Sequence, residues 1–368
     1  MRINAAILWE QGKPLSIEPA ELEGPGPGEV LIEVMAAGVC HSDLHPARGD
    51  WPMGTPVVLG HEGAGVVREV GPDVTRIQVG DHVVFCWAPA CGRCPPCAEG
   101  RPVLCDRLER TTFRNRLPSG RTRLRARDQD VAPFLGTACF ADYAVVAAEA
   151  AVPVPDDVPF EALAAVGCAA VTGVGAVFGA AHVPAGATVA VVGAGGVGLN
   201  VLQAAAIAGC KQIIAVDRQA APLALAASFG ATDAIQVTDE TVAAIRDRTG
   251  GRGADYVFDT VGSPATVAES LAAARKGGTV VVTGLARIDA LASVRLFPFV
   301  MQEKHLIGSV YGSGNPVHDI ARLVSLYQQG RLKLRELVVR TYPLSEINEA
   351  LAALEAGEGA RGMIRPGT

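Results

Sequence analysis

The sequence of 368 residues predicts a two-domain α/β protein, an irregular and largely antiparallel β domain followed by a doubly wound parallel sheet flanked by helices. Three observations carry this expectation. The chain is longer than one compact core usually holds. Up to about residue 151, short β-type runs (VLIEVMAAGVC, GAGVVREVG, DHVVFCW, FADYAVV) are separated by Gly and Pro, the pattern of strands joined by turns. After the segment VPVPDDVP, strands and helices alternate, which marks right-handed βαβ units.

In the second half the strand TVAVVGAG leads into a helix over 196–209. QIIAVD leads into a second helix over 220–229, and ADYVFDTVG and GGTVVVTG supply further strands. Beyond about Gly308 two amphipathic stretches, DIARLVSLYQQG and LSEINEALAALEAG, read as helices. The domain boundaries predicted are therefore 1–169, 170–309 and a C-terminal segment 310–368. Two uncharged runs, 162–181 and 184–210, are long enough to span a bilayer. Both are Gly/Ala-rich and broken by turn signals, so buried core is the expectation and no membrane partner is predicted.

With 49% hydrophobic and 19% charged residues, disorder is excluded. A net charge of −6 argues against a nucleic-acid binder. The one basic stretch holds eight arginines between Arg107 and Arg127 and reads as a solvated surface loop, with an anion-attracting rim as the other reading. The start of the chain, MRINAAILWEQGK, lacks the apolar core and cleavage site of a signal peptide, so the cytoplasm is expected. Nine cysteines in that compartment point to metal or free thiols, not to disulfides.

Four of them, Cys91, Cys94, Cys97 and Cys105, are spaced C-x2-C-x2-C-x7-C within a lobe over about 86–106. Four thiolates complete a tetrahedral shell for a structural zinc. An iron–sulfur run of the usual bacterial kind would close with C-x3-C before a proline, and this one does not. Farther on, Gly193, Gly195, Gly196, Val197 and Gly198 stand in a G-x-G-x-x-G turn between a strand and a helix. Asp217, nineteen positions beyond Gly198, ends the next strand. Glycines permit close backbone approach, the pyrophosphate sits on the helix N-terminus, and the carboxylate accepts both ribose hydroxyls, which selects NAD(H). The neighbouring Arg218 leaves room for NADP.

The segments GVCHSDLH, GHEGAGVVREVG, the cysteine clip and VGCAAVTGVGA occur in the order found in zinc-dependent alcohol dehydrogenases of the medium-chain dehydrogenase/reductase superfamily, and the chain resembles them throughout. The stretch from LPSGRTRL to FLGTACFADY is similar to the class I/III-like branch, which contains glutathione-dependent formaldehyde dehydrogenases. The resemblance implies a GroES-like β catalytic domain, a Rossmann cofactor domain and two Zn2+ per chain. Cys40, His61 and Cys168 would hold the catalytic zinc and leave its fourth position open. Glu62 would lie behind the metal, and Asp43 would hold the other nitrogen of His61. Ser42 and His45 would pass a proton to the surface, while His41 and Arg361 would contact the cofactor phosphates. Trp51, Trp87, Leu104, Phe134, Leu135 and Leu285 would line the alcohol pocket, with Arg110 nearer its mouth.

The activity so implied is interconversion of alcohols, of aryl, allylic or medium-chain primary type, with aldehydes or ketones. A thiol-dependent formaldehyde dehydrogenase and a carbonyl or imine reductase are the rival enzymes on the same scaffold. A non-catalytic zinc-binding relic is the rival outside enzymes. A homodimer joined through edge strands near 304–311, or a homotetramer, is implied as the assembly.

Overall fold

In the computed structural model, which describes residues 1–367, the chain forms two compact units. One comprises Met1–Cys168 with the segment from Asn315 onward, and the other Ala169–Gly314. The C-terminal crossing falls at 314/315 and not at 309/310, for a steric reason. Residues Tyr311–Ser313 pack on the second unit, where Gly312 at φ 80° lies so close to Val171 that a Cβ would meet its carbonyl oxygen at 2.3 Å.

The first unit pairs a closed barrel with a seven-stranded sheet. The barrel runs Arg2–Leu8, Ser16–Leu22, Leu124–Ala126, Gln129–Pro133 and Val57–Val58. The sheet has the order Ala151–Val154, His82–Phe85, Glu62–Val70, Glu29–Val39, Arg361–Arg365 and Val338–Pro343, with Tyr143–Ala147 also paired to Glu29–Val39. Ile7, Leu8, Ile32, Phe85 and Phe140 are buried together in the core. Glu29–Val39 is the axis of this unit because its apolar run is covered on both faces, and it delivers Cys40 at its end. The last strand, Arg361–Arg365, pairs with it and thereby ties the C-terminal segment to this unit.

The second unit is a parallel six-stranded sheet in the order Asp233–Gln236, Gln212–Asp217, Thr188–Val192, Ala254–Asp259, Ala274–Val282 and His305–Gly308. Thr188–Val192 is fully buried, as a continuous apolar run in a helix-covered parallel sheet should be. Strand order reverses beside it, which creates a switch point at the carboxyl ends of the strands. The doubly wound expectation is met.

The uncharged run near 162–181 is one helix, Phe160–Ala180, interrupted by π-helical turns at Val166–Ala170 and Ala176–Ala180. It is long and apolar enough to cross a membrane, yet 83% of its apolar window is buried within the protein. The second run is the strand Thr188–Val192 followed by the helix Gly196–Ile207. Four of the eight arginines of the basic stretch pair with acidic residues distant in sequence: Arg107 with Glu149, Arg121 with Glu23, Arg123 with Glu29 and Arg127 with Glu18.

Candidate active site and metal centres

Three chain segments converge on a buried cluster in the first unit. Cys40 caps the helix His41–Arg48, His61 directly precedes the strand Glu62–Val70, and Cys168 sits in the π-helical turn Val166–Ala170. Their ligand atoms lie within 4.8 Å of one another, and His61 Nε2 is 3.3 Å from Cys168 Sγ. A tetrahedral zinc with bonds of ~2.3 Å to sulfur and ~2.05 Å to nitrogen spaces its ligand atoms about 3.6–3.8 Å apart, so the set fits the ion.

Asp43 organises the cluster. Fully buried, it accepts from Cys40 N–H (3.2 Å), Gly60 N–H (3.0 Å) and His61 Nδ1 (2.9 Å). That last bond makes Nδ1 the donor and turns the lone pair of Nε2 toward Cys168. Thr137 donates to Gly60 O at 2.9 Å, and Phe134 meets the His61 ring edge-on at 5.9 Å, so the FLGTACF segment supports the ligand from the other side.

Glu62 lies beside Arg361, Oε1 to Nε 3.4 Å, both enclosed; Arg361 also donates to Val39 O at 2.8 Å. Gly38 makes room for this carboxylate, since a Cβ there would meet Glu62 Cδ at 2.7 Å. Burial pushes the Glu62 carboxyl up to about 8 against the pull of Arg361. The hydrogen bond from Cys168, followed by the charge of Arg361, holds the Cys40 thiol well below its usual range. What the structure gives Arg361 is an internal place, its charge set beside Glu62 and the Cys40 and Cys168 thiols.

The second cluster is the clip. Cys94 Sγ lies 3.4 Å from Cys97 Sγ and 3.7 Å from Cys105 Sγ, and all four sulfurs lie within 4.8 Å of one another. A disulfide would need ~2.05 Å, whereas the edge of a zinc tetrathiolate is about 3.8 Å. Cys91 N–H donates to Cys105 Sγ at 3.2 Å, and the backbone N–H groups of Arg93 and Cys94 pull the Cys91 thiol down to about 6. Such donors stabilise a thiolate.

In the second unit the glycine turn is closed by sterics. Gly193 has φ 91°, and a Cβ on Gly198 would lie 1.8 Å from Gly193 O. Thr260 Oγ1 locks the turn by donating to Val192 O and Gly193 O, each at 3.0 Å. Gly195, by contrast, faces open space where a Cβ would touch nothing within 4 Å. No side chain caps the helix Gly196–Ile207, whose first amides at Gly196, Val197 and Gly198 are therefore suited to an anion. Asp217 accepts from Ala194 N–H (2.7 Å) and Gln219 N–H (2.8 Å), which fixes its carboxylate beside the turn; Arg218 is exposed. These residues fit a dinucleotide.

The remaining expected residues are spread more widely. His41 is exposed, and Ser42 and His45 are half-buried one helical turn apart. Phe134 is buried, Leu135 and Trp87 half-buried, Leu104 39% exposed and Arg110 exposed on the clip side. Trp51 stacks on His45, and Leu285 belongs to the second unit, 55% exposed.

Comparison with known proteins agrees with this geometry. Residues 26–156 match the alcohol dehydrogenase GroES-like domain and 196–329 the zinc-binding dehydrogenase family. The NDMA-dependent alcohol dehydrogenase of Amycolatopsis methanolica is 43% identical over 368 residues, 99% of each chain. The chain belongs to the zinc-dependent alcohol dehydrogenases of the medium-chain dehydrogenase/reductase superfamily. Among other members, the S-(hydroxymethyl)glutathione dehydrogenase of Paracoccus denitrificans is 35% identical over 376 residues, 99% of this chain and 100% of that one. The crystal structure of benzyl alcohol dehydrogenase from Acinetobacter calcoaceticus superposes with a TM-score of 0.93 at 34% identity, covering 100% and 99% of the two chains.

As a member of this zinc dehydrogenase family the chain is an oxidoreductase acting on alcohols. Two features of its site left no mark in the sequence. The contact of Thr137 with Gly60 bridges 77 positions, and the pairing of Asp50 with His45 falls in a loop without periodicity.

Proposed function

We propose that this dehydrogenase interconverts aryl, allylic or medium-chain primary alcohols and their aldehydes, with NAD(H) carrying the hydride. The buried set Cys40, His61 and Cys168 carries the reading, since three soft ligands with one position left over suit a catalytic centre. A zinc held there would act as a Lewis acid that draws down the pKa of a hydroxyl at the open position. Asp43 keeps the His61 tautomer, and Arg361 with Glu62 balances charge behind the ligands. Ser42 takes the departing proton on its hydroxyl and His45 conveys it to water. The clip would hold the second zinc per chain. The clustered thiols of both centres must stay reduced to bind metal, which supports the cytoplasm.

A panel of alcohols and aldehydes followed by NADH absorbance tests the reaction. Benzyl or cinnamyl alcohol should be used more efficiently than ethanol, and Trp87→Ala should erode that preference, because an indole offers large flat apolar contact. Ethanol preferred by the wild type, or an aromatic preference untouched by Trp87→Ala, would overturn the pocket assignment. The names of two relatives favour added arms: NDMA in the assay, and formaldehyde with and without glutathione. Turnover only with NDMA would rule out free exchange of NAD(H), and turnover only with the thiol would make formaldehyde the substrate.

Cofactor choice should hang on Asp217. Asp217→Gly removes both the ribose acceptor and the repulsion of a 2′-phosphate, and Arg218 can then pair with that phosphate. The NAD to NADP efficiency ratio should fall by on the order of 10²-fold, since two charge-assisted contacts change together. An unchanged ratio means that the carboxylate does not meet the ribose.

The partner proposed is a second copy of the chain. His305–Gly308 is the edge strand of its sheet, and Ile288, Leu291, Leu296, Phe297, Val300 and Met301 are each 67–87% exposed in the preceding segment. An unpaired edge next to such an apolar face is what an isologous interface covers.

A further inference from the structure

The loop after the helix His41–Arg48 is built around one imidazole. Gly49 ends the helix in the left-handed region at φ 83°, its N–H returning to Pro46 O at 3.2 Å. Asp50 N–H then donates to His45 O at 2.9 Å, so the chain doubles back along the last turn. The Asp50 carboxylate thereby comes within 3.0 Å of His45 Nδ1, with both side chains only 16–17% exposed. Trp51 covers the ring, its centroid 4.7 Å from that of His45 and the planes 23° apart.

A third residue clamps this loop from far away in sequence. Gln11 Nε2 donates to Pro46 O at 2.8 Å and Trp51 O at 2.9 Å, while its Oε1 accepts from Met53 N–H at 3.2 Å. Gly12 N–H adds a bond to Ala47 O at 2.7 Å. The end of the helix, the carboxylate and the indole are thus fixed to the barrel side of the unit as one piece.

We propose that Asp50 and Trp51 are positioning residues for His45, holding its imidazole as the Nδ1–H tautomer in one rotamer so that Nε2 is the nitrogen that accepts the proton leaving the alcohol. The inference rests on the relay reading of His45. A carboxylate oxygen acts as the acceptor in the short contact, which places the hydrogen on Nδ1 and the lone pair on Nε2. The alcohol loses one hydride and one proton. The proton passes through the Ser42 hydroxyl to Nε2, and the imidazolium returns it to bulk water. While the ring is charged, the Asp50 carboxylate and the face of the Trp51 indole both offset that charge.

Of the other charged or titratable side chains nearby, His41, Asp43 and Arg48 share its helix: Asp43 is engaged by Cys40, Gly60 and His61, and Arg48 is ion-paired with Glu355 of the helix Ile347–Ala356, which packs against it. The carboxylate that meets the imidazole nitrogen is that of Asp50. The same geometry accounts for the orientation of Trp51, whose indole is committed to His45 on one face.

A double-mutant cycle in the zinc-loaded enzyme with NAD and benzyl alcohol tests the proposal. Asp50→Ala should lower kcat about tenfold with KM for the alcohol unchanged, and small buffer bases should restore much of the loss. Asp50→Asn keeps an acceptor oxygen for Nδ1 and should recover part of the rate. In a His45→Gln background Asp50→Ala should cost nothing further, because its effect acts through the missing ring. Histidine 15N spectra, assigned by His45→Gln, should show Nδ1–H in the wild type and a tautomer mixture in Asp50→Ala. An equal loss in both backgrounds, or an unchanged tautomer in Asp50→Ala, overturns the proposal. If His45→Gln keeps the wild-type kcat, the relay reading fails instead, and the spectra still decide whether Asp50 sets the tautomer.

Discussion

His61→Ala should yield a folded protein that has lost all measurable alcohol turnover and carries one zinc per chain where the wild type carries two. The imidazole is one of three ligands, and the two thiolates left behind cannot close a shell for the ion. The fold should survive because Asp43 keeps two of its three donors, Cys40 N–H and Gly60 N–H, so no buried carboxylate is stranded. The vacated space beside Phe134 should cost on the order of 2–4 kcal/mol of stability. Elemental analysis with circular dichroism checks both halves. Cys91→Ser should show the converse pattern: the other zinc lost, a lower Tm, and turnover per folded molecule retained, since metal binding to the clip is folding free energy for its lobe. A wild-type enzyme that is active with one zinc or none would sink the two-metal scheme.

Ser42→Ala should remove most alcohol oxidation, by about 10²- to 10⁴-fold, the range that positioned proton transfer typically contributes. Ser42 and His45 stand three residues apart on one short helix, the spacing that puts two side chains on one face. That helix is rigidly held at both ends, by Asp43 at its start and by Gly49 and Gln11 at its finish. Zinc content should not change, because neither residue is a ligand, and Ser42→Thr should restore the hydroxyl and much of the rate. A Ser42→Ala enzyme with unaltered kcat would mean that protons leave by another route.

What could be read from sequence was what chemistry compresses into short spacing. The clip lies within fifteen residues, and the glycine turn carries its strand and helix with it, so both were legible from 91–105 and 193–217. The alternating second half was legible because parallel strands buried on both faces read as continuous apolar runs, as Thr188–Val192 does. Cys40, His61 and Cys168, by contrast, are separated by 21 and 107 positions, and nothing in their spacing unites them. Only the resemblance did so.

The rest was hidden for two physical reasons. Contacts between irregular segments, such as Gln11 to Trp51 or Arg361 to Glu62, leave no periodic trace. Side-chain direction after a turn was hidden as well: that Trp51 stacks on His45 has no signal in the sequence. The crossing at 314/315 escaped for the same reason, since it depends on Gly312 approaching Val171.

The π-helical turn around Cys168 has a consequence for how this enzyme can vary. A π turn holds one residue more than the α turn it replaces, so everything after it is rotated by roughly 100° from where an unbroken helix would put it. Removing Gly167, the one residue between Val166 and Cys168, would let the helix relax to the ordinary period and swing the thiol off the His61 side. All seven cysteine and histidine ligands would still be present and in order, yet the catalytic centre would have only two of them within reach. Length across this turn is therefore as much a part of the metal site as the identity of its ligands.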